Sequence, residues 1–374
     1  MKFRFLRTLC WTVFPFTLTL LLVSNAGGAG HKKLLHVFLD KPAANPASNL
    51  IFDAQGNIYG STSSGGNHTC AGGCGTVFRL SRRADGEWDY RVVYRFTGQE
   101  DGGQPVGRLV FDGGGNLYGA YGYGYGGIFG LISQPDGSWK ENPIYSFKGP
   151  PDADRPYSGL TIDSAGSLYG TTQSGGVNGI GAVYELAHST DGGWSERVIH
   201  SFSGDDGDYP WADVTIDQSG NVYGTTIGGG TNGHGTVFEV TPNAGGWTEK
   251  VLYSFKGGAD HGEPAAGVFL DSSGSLLGTL SDNGEGGPDV GAIFELNPSS
   301  DGPWQERLIH TFGAKKNDGG FPWSDLVPDA NGNLYATAWE GGLSDYGTIY
   351  KLARTTKGYR ETTVLRDTLN KSSS

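Results

Sequence analysis

Five aspartates recur four residues ahead of a proline: Asp101/Pro105, Asp152/Pro156, Asp206/Pro210, Asp260/Pro264 and Asp318/Pro322. An aspartate so placed starts a turn, and the proline, with its fixed φ and missing N–H, suits the first residue of an edge strand. The same carboxylates offer a chemistry. Gathered at a channel mouth, Asp101, Asp152, Asp206, Asp260 and Asp318 would form a ring able to hold a hard cation, Ca2+ above all. Aromatic residues follow three of the prolines, Tyr157, Trp211 and Trp323, and the stretch YGYGYGG adds Tyr121, Tyr123 and Tyr125. Rings exposed beside acids can stack on sugar faces, so Tyr123, Tyr157, Trp211 and Trp323 are the candidate ligand contacts. Packing between neighbouring units is the competing structural reading.

Catalytic signatures are missing. There is no G-x-S-x-G elbow, no H-E-x-x-H and no P-loop. Gly122-x-Gly124-x-x-Gly127 matches a dinucleotide fingerprint in form, yet it joins two strand signals with no helix after it. An enzyme would have to assemble its acids and bases from several loops, and His234, His261 and Glu263 are the residues to test first. His36, His200 and His310 occupy a position that other copies fill with Tyr94, Tyr145 and Tyr253. A histidine interchangeable with tyrosine is a packing residue with a polar tip.

These residues sit in a repeat. A landmark phenylalanine returns at Phe38, Phe96, Phe147, Phe202, Phe255 and Phe312, at intervals of 51 to 58 residues. Such a period marks a stack of identical supersecondary units. Each unit divides into four strand signals, A to D. A and B are joined by D-x-x-G-[NS] in all six copies, from Asp53/Gly56 to Asp329/Gly332; the aspartate can accept from the turn's N–H groups and the glycine supplies a positive φ. Strand B carries a glycine in five copies (Gly60, Gly119, Gly170, Gly224, Gly278) and Ala336 in the sixth, which the packing of neighbouring sheets would require. Strand C reads G-[TA]-[VI]-[FY]. Strand D opens on Trp88, Trp139, Trp194, Trp247, Trp304 or Tyr359.

Four antiparallel strands per unit, with no helical period anywhere, predict an all-β, six-bladed β-propeller of four-stranded blades closed by a terminal strand. Leu34 to Phe38 is the preferred closing strand, because Val364 to Arg366 is followed by Asp367 where the landmark Phe should stand. The motifs DxxGN[LI]YGTT, GTVF[EK]L and VLYSF with a following DG-x-x-P resemble the tandem repeat of bacterial exported proteins called choice-of-anchor GloVer-repeat proteins, over roughly Leu34 to Arg366. That resemblance implies an exported bacterial repeat protein and brings no catalytic residues with it. Its C-terminal sorting anchor finds no match in the polar run DTLNKSSS. The D-x-x-G-N-x-Y turn is also similar, more weakly, to NHL-type and lactonase-type propellers.

Composition bounds the rest. Glycine at 65 of 374 residues reads as many tight turns, and 12% aromatics suffice for a core. A net charge of −12 argues against nucleic acid, whose backbone needs clustered Lys and Arg. MKFRFLR, an apolar run to Val23 and the small-residue site at Ala26 predict an export signal over 1–26, a linker over 27–33, the propeller over 34–366 and a polar tail over 367–374. Cys70 and Cys74 are expected to pair as a disulfide in a secreted, extracellular or periplasmic protein. The expectation is thus a monomeric binding or interaction module, free of the membrane after signal cleavage. It would take a carbohydrate, another neutral ligand or a protein on the face that carries the D–A and B–C loops. A metal-dependent lactonase-like or lyase-like enzyme with its site at the channel mouth is the alternative, and a structural surface protein the third.

Overall fold

A computed structural model of the chain describes residues 19–20, 33–38, 43–46, 48–189, 193–282, 290–299, 302–313, 318–342, 347–356 and 358–366. The expected cleavage site after Ala26 and the tail 367–374 lie outside them. Six antiparallel sheets follow one another along the chain, each built A-B-C-D from the axis outward. In the fourth blade these strands are Thr215–Ile216, Val222–Thr226, Thr236–Asn243 and Gly246–Ser254. Asn49 of the first blade donates to Asp325 of the sixth at 3.0 Å, which closes the ring. The protein is a six-bladed β-propeller.

The A–B turn is built as its sequence requires. Asp217 Oδ1 accepts from the N–H groups of Ser219 and Asn221 at 2.8 and 2.9 Å, and Oδ2 from Asn221 Nδ2 at 2.8 Å. Gly220 has φ 83°, a conformation costly for any residue with a Cβ. Both carboxylate oxygens are occupied by donors of their own turn.

The strand-B glycine has a nearer cause than the neighbouring sheet. Gly224 lies opposite Phe238 of strand C in the same sheet, and a Cβ added to it would stand 2.5 Å from Phe238 Cζ. The ring lies across the glycine and buries its backbone, an intra-sheet pairing that repeats in five blades. Neighbouring blades meet through the landmark Phe instead. Phe202 packs edge-on at 5.1 Å against Phe238 of the next blade, and Phe96–Phe129, Phe147–Tyr184, Phe255–Phe294 and Phe312–Tyr350 repeat the contact. Phe202 and Phe238 are fully buried, each contributing on the order of 2–3 kcal/mol of apolar burial.

The closing strand differs from expectation. Gly358–Arg366 pairs along Thr348–Thr355 and completes the sixth blade, whereas Lys33–Leu34 pairs with Thr19–Leu20. The N-terminal segment supplies the aromatic contact instead: Phe38 packs 5.0 Å from Phe78 of the first blade, and His36 stacks on Tyr90 at 3.8 Å. The division follows from the sequence, in which the last strand runs on into Asp367 rather than a phenylalanine.

Candidate functional site

One position at the start of strand A, four residues before the turn aspartate, is filled by Asn49, Arg108, Gly159, Asp213, Gly267 and Asp325, and all of these but Gly159 line one shared cavity. The next residue in each blade from the second to the sixth (Leu109, Leu160, Val214, Val268, Leu326) is buried in the core, as alternation along a strand demands. Asp213 accepts from the Gly159 N–H and faces Arg108 Nε at 3.2 Å. Asp325 accepts from the Gly267 N–H at 2.8 Å and from Asn49 at 3.0 Å. Each aspartate thus ties three blades together, reaching into the gap left by a glycine.

Two carboxylates and one guanidinium share this girdle, and Arg108 faces Asp213. Burial, and then the Asp325 charge, push the Asp213 carboxyl well above the ordinary carboxylate range, against the opposing pull of Arg108 and the Gly159 N–H. A cavity of about 450 Å3 extends from the girdle along Leu50–Phe52, Val214–Thr215, Val268–Leu270 and Leu326–Pro328, toward the A–B turns. Its walls are mainly apolar and its polar floor is Asp213, Asp325, Arg108 and Asn49.

The aromatic candidates stand on the opposite side of the girdle, where the D–A and B–C loops emerge. Tyr157, Trp211 and Trp323 precede the girdle residues of their blades by two positions, at most ~7 Å of chain. They are 37, 39 and 50% exposed. The structure brings Tyr157 and Trp211 together at 6.2 Å and sets Trp323 6.2 Å from Trp339. Tyr123 is exposed on the adjoining loop of the second blade.

The five aspartates expected at the channel mouth are placed elsewhere. Asp101, Asp152 and Asp260 accept from the hydroxyls of Tyr94, Tyr145 and Tyr253 at 3.0, 3.1 and 2.8 Å. Asp206 and Asp318 face His200 and His310 at 3.0 and 3.2 Å. Those partners belong to strand D, the outermost of the four, so each carboxylate is drawn to its own blade's outer strand rather than into a ring about the axis. Asp101, Asp152, Asp206 and Asp260 also accept backbone N–H groups of their turns, such as Thr97 at 2.8 Å. The proline that follows closes the joint: Pro210 lies where a Cβ on Gly181 of the preceding blade would stand, 2.3 Å away.

A glutamate of the next blade faces each of four of these aspartates. Burial and the aspartate charge raise Glu141 (beside Asp101), Glu196 (beside Asp152), Glu249 (beside Asp206) and Glu306 (beside Asp260) to about 7. Of the residues proposed for an enzyme, Glu263 donates its N–H to the His234 carbonyl at 2.9 Å. Burial and Asp282 raise its pKa, and His234 opposes them. His261 is buried beside this group. Cys70 and Cys74 form the disulfide.

Two sets of residues escaped sequence reasoning. The girdle could have been found by aligning the copies on the turn aspartate: the position four before it takes four residue types in six blades, between near-constant neighbours. The glutamates recur two residues past the strand-D aromatic (Glu141, Glu196, Glu249, Glu306, Glu361). That spacing is visible, but its meaning depends on the partner blade.

Six four-stranded blades about a polar, asymmetric axis define a repeat-built propeller. The chain belongs to the Gloeobacter/Verrucomicrobia repeat family, whose profile matches residues 155–372. No curated protein matches the sequence. Among solved structures it is similar to a putative 6-phosphogluconolactonase from Bacteroides uniformis, with 14% identity, 91% of this chain and 92% of that one covered, and a TM-score of 0.57. It is similar also to the periplasmic gluconolactonase of Pseudomonas aeruginosa, with 15% identity, 90 and 89% coverage and a TM-score of 0.53. At these identities the likeness is one of fold.

Proposed function

We propose that the protein is an exported binding module for a neutral, polyhydroxylated ligand of the carbohydrate class. The ligand is taken at the axis from the face that carries Tyr157, Trp211 and Trp323. One observation carries this reading. In a scaffold that repeats its structural residues blade after blade, the axial position mixes Asn49, Arg108, Asp213 and Asp325 with two glycines, beside exposed aromatic rings. Rings that stack on a sugar's C–H face, next to acceptors for its hydroxyls, are what such a ligand needs. Charge narrows the class further. Arg108 is the one cation of the girdle and already faces Asp213, so a phosphorylated ligand reaching the girdle would meet two carboxylates. The Cys70–Cys74 disulfide supports export.

A glycan screen followed by calorimetric titration tests the proposal. A neutral oligosaccharide is expected to bind and to weaken at least tenfold with Trp211→Ala and with Trp323→Ala. Unchanged affinity in both variants, or no glycan bound at millimolar concentration, overturns it.

The raised pKa of Asp213 beside Arg108 favours a second reading, a hydrolase of the lactonase kind with Asp213 as the proton-transferring group. Turnover of aldonolactones that is abolished by Asp213→Asn would replace the first reading with this one.

A further inference from the structure

The joints between blades carry a site of another kind, independent of the axis. At five of them the residue two before the landmark Phe, the D–A loop aspartate and the next blade's glutamate come together: Tyr94–Asp101–Glu141, Tyr145–Asp152–Glu196, His200–Asp206–Glu249, Tyr253–Asp260–Glu306 and His310–Asp318–Glu361. Three joints have a tyrosine hydroxyl, which donates to the aspartate. Two have an imidazole, which can instead give a lone pair to a metal.

Only one imidazole joint has convergent geometry. One atom each from His200, Asp206 and Glu249 lie within 4.8 Å of one another, and His200 Nε2 is 3.0 Å from Asp206 Oδ2. Two ligands of a tetrahedral Zn2+, each ~2.0 Å from the ion, stand roughly 3.3 Å apart, so His200 and Asp206 are already at about that spacing and the group as a whole, within 4.8 Å, closes on an ion by side-chain rotation. Asp206 is fixed from behind, its Oδ1 accepting from Ser203 N at 2.8 Å and Ser203 Oγ at 3.0 Å, as an outer shell fixes a metal ligand. Glu249 Oε1 is buried and has no hydrogen-bond partner, a desolvated acceptor that a cation would satisfy. The side chains of His200 and Asp206 keep 17 and 19% exposure, which leaves a path from solvent. At the other imidazole joint the carboxylates flank opposite nitrogens: Asp318 is 3.2 Å from His310 Nε2 and Glu361 is 3.9 Å from Nδ1. One ion cannot take all three.

We propose that His200, Asp206 and Glu249 form a binding site for a single divalent ion of the Zn2+ class at the joint between the third and fourth blades, with the remaining tetrahedral position open to water. Two carboxylates and the dication cancel, which removes the like-charge repulsion across this joint.

The fold supplies its own control, because tyrosine already fills the His200 position at three sibling joints. The whole protein is dialysed against Zn2+ and its metal content measured, then titrated with Co2+ and followed by visible absorption. One ion per chain is expected, with the intense absorption of tetrahedral Co2+. His200→Tyr, with circular dichroism unchanged, is expected to abolish it and His310→Tyr to leave it intact. Glu249→Gln, which keeps the side-chain shape, is expected to weaken binding at least tenfold. No ion retained by the unaltered protein, or an ion retained by His200→Tyr, overturns the proposal. So does undiminished affinity in Glu249→Gln.

Discussion

The rim and the axis of this propeller obey opposite rules. At five blade joints the same parts repeat: the landmark Phe on the next blade's strand-C aromatic, the Tyr or His held by an aspartate, and the proline seated on a glycine. At the axis the same backbone position passes through Asn49, Arg108, Gly159, Asp213, Gly267 and Asp325. Six sheets that must bury both faces against like neighbours fix the rim, since any copy that departs leaves a void or an unpaired polar group. The axis escapes the repeated form of that demand: its residues meet across a shared shaft, where two aspartates, Asp213 and Asp325, do the tying for all six blades. Repetition therefore marks the joints that each blade shares, and variation marks the axis, where the proposed ligand would be read.

The strongest test of the rim's half is to empty a joint. Phe202→Ala removes a fully buried ring from between two blades and is expected to cost about 3–5 kcal/mol in denaturant unfolding. A loss under ~1 kcal/mol would show that the joints do not carry the stability. Next in size is Gly224→Ala, whose methyl would stand 2.5 Å from Phe238. About 1–3 kcal/mol is expected. Ala336, the natural exception, faces Tyr350 across the sixth blade, so Ala336→Gly should gain nothing.

The acid joints sharpen the comparison through pH. Glu141 faces Asp101. Glu196 faces Asp152, the Tyr145 hydroxyl and Lys148. Glu306 faces Asp260, with Lys256 and Arg307 nearby. All three carboxyls are raised to about 7 in the fold, from an ordinary glutamate value of 4.5. The folded protein therefore binds more protons than the unfolded chain between these values. The stabilising contribution is complete below about pH 4.5 and is lost as pH rises through about 7. Each half-exposed joint should contribute on the order of 1 kcal/mol after solvent screening, so Tm should be higher at pH 5 than at pH 8. Glu196→Gln, a permanent mimic of the protonated acid, should be more stable than the unaltered protein at pH 8 and equal to it at pH 5. A Tm that rises with pH over this interval would contradict the assignment.

The fold was legible in the sequence because its signals are local. D-x-x-G-[NS] specifies its own hairpin through hydrogen bonds within five residues, and strand alternation specifies which face is buried. Closure was half legible. The expected strand, Leu34 to Phe38, supplies the aromatic plug, while Gly358–Arg366 supplies the hydrogen-bonded outer strand. The candidate site was less legible because its partners are far apart in the chain, Asn49 and Asp325 being separated by 276 residues. The Asp-x-x-x-Pro carboxylates looked like ligands of an axial ring because nothing local reveals that Tyr145 or His200, back along the outer strand, will claim them.

The most direct measurement of the account is the pair of quantities, unfolding free energy and ligand affinity, in Trp323→Ala set beside Phe202→Ala. The axis-and-rim division predicts that Trp323→Ala, half exposed at the loop face, keeps stability within ~0.5 kcal/mol while sugar affinity falls at least tenfold. It predicts that Phe202→Ala loses stability while its folded fraction still binds. Trp323→Ala that unfolds early and binds normally would contradict it.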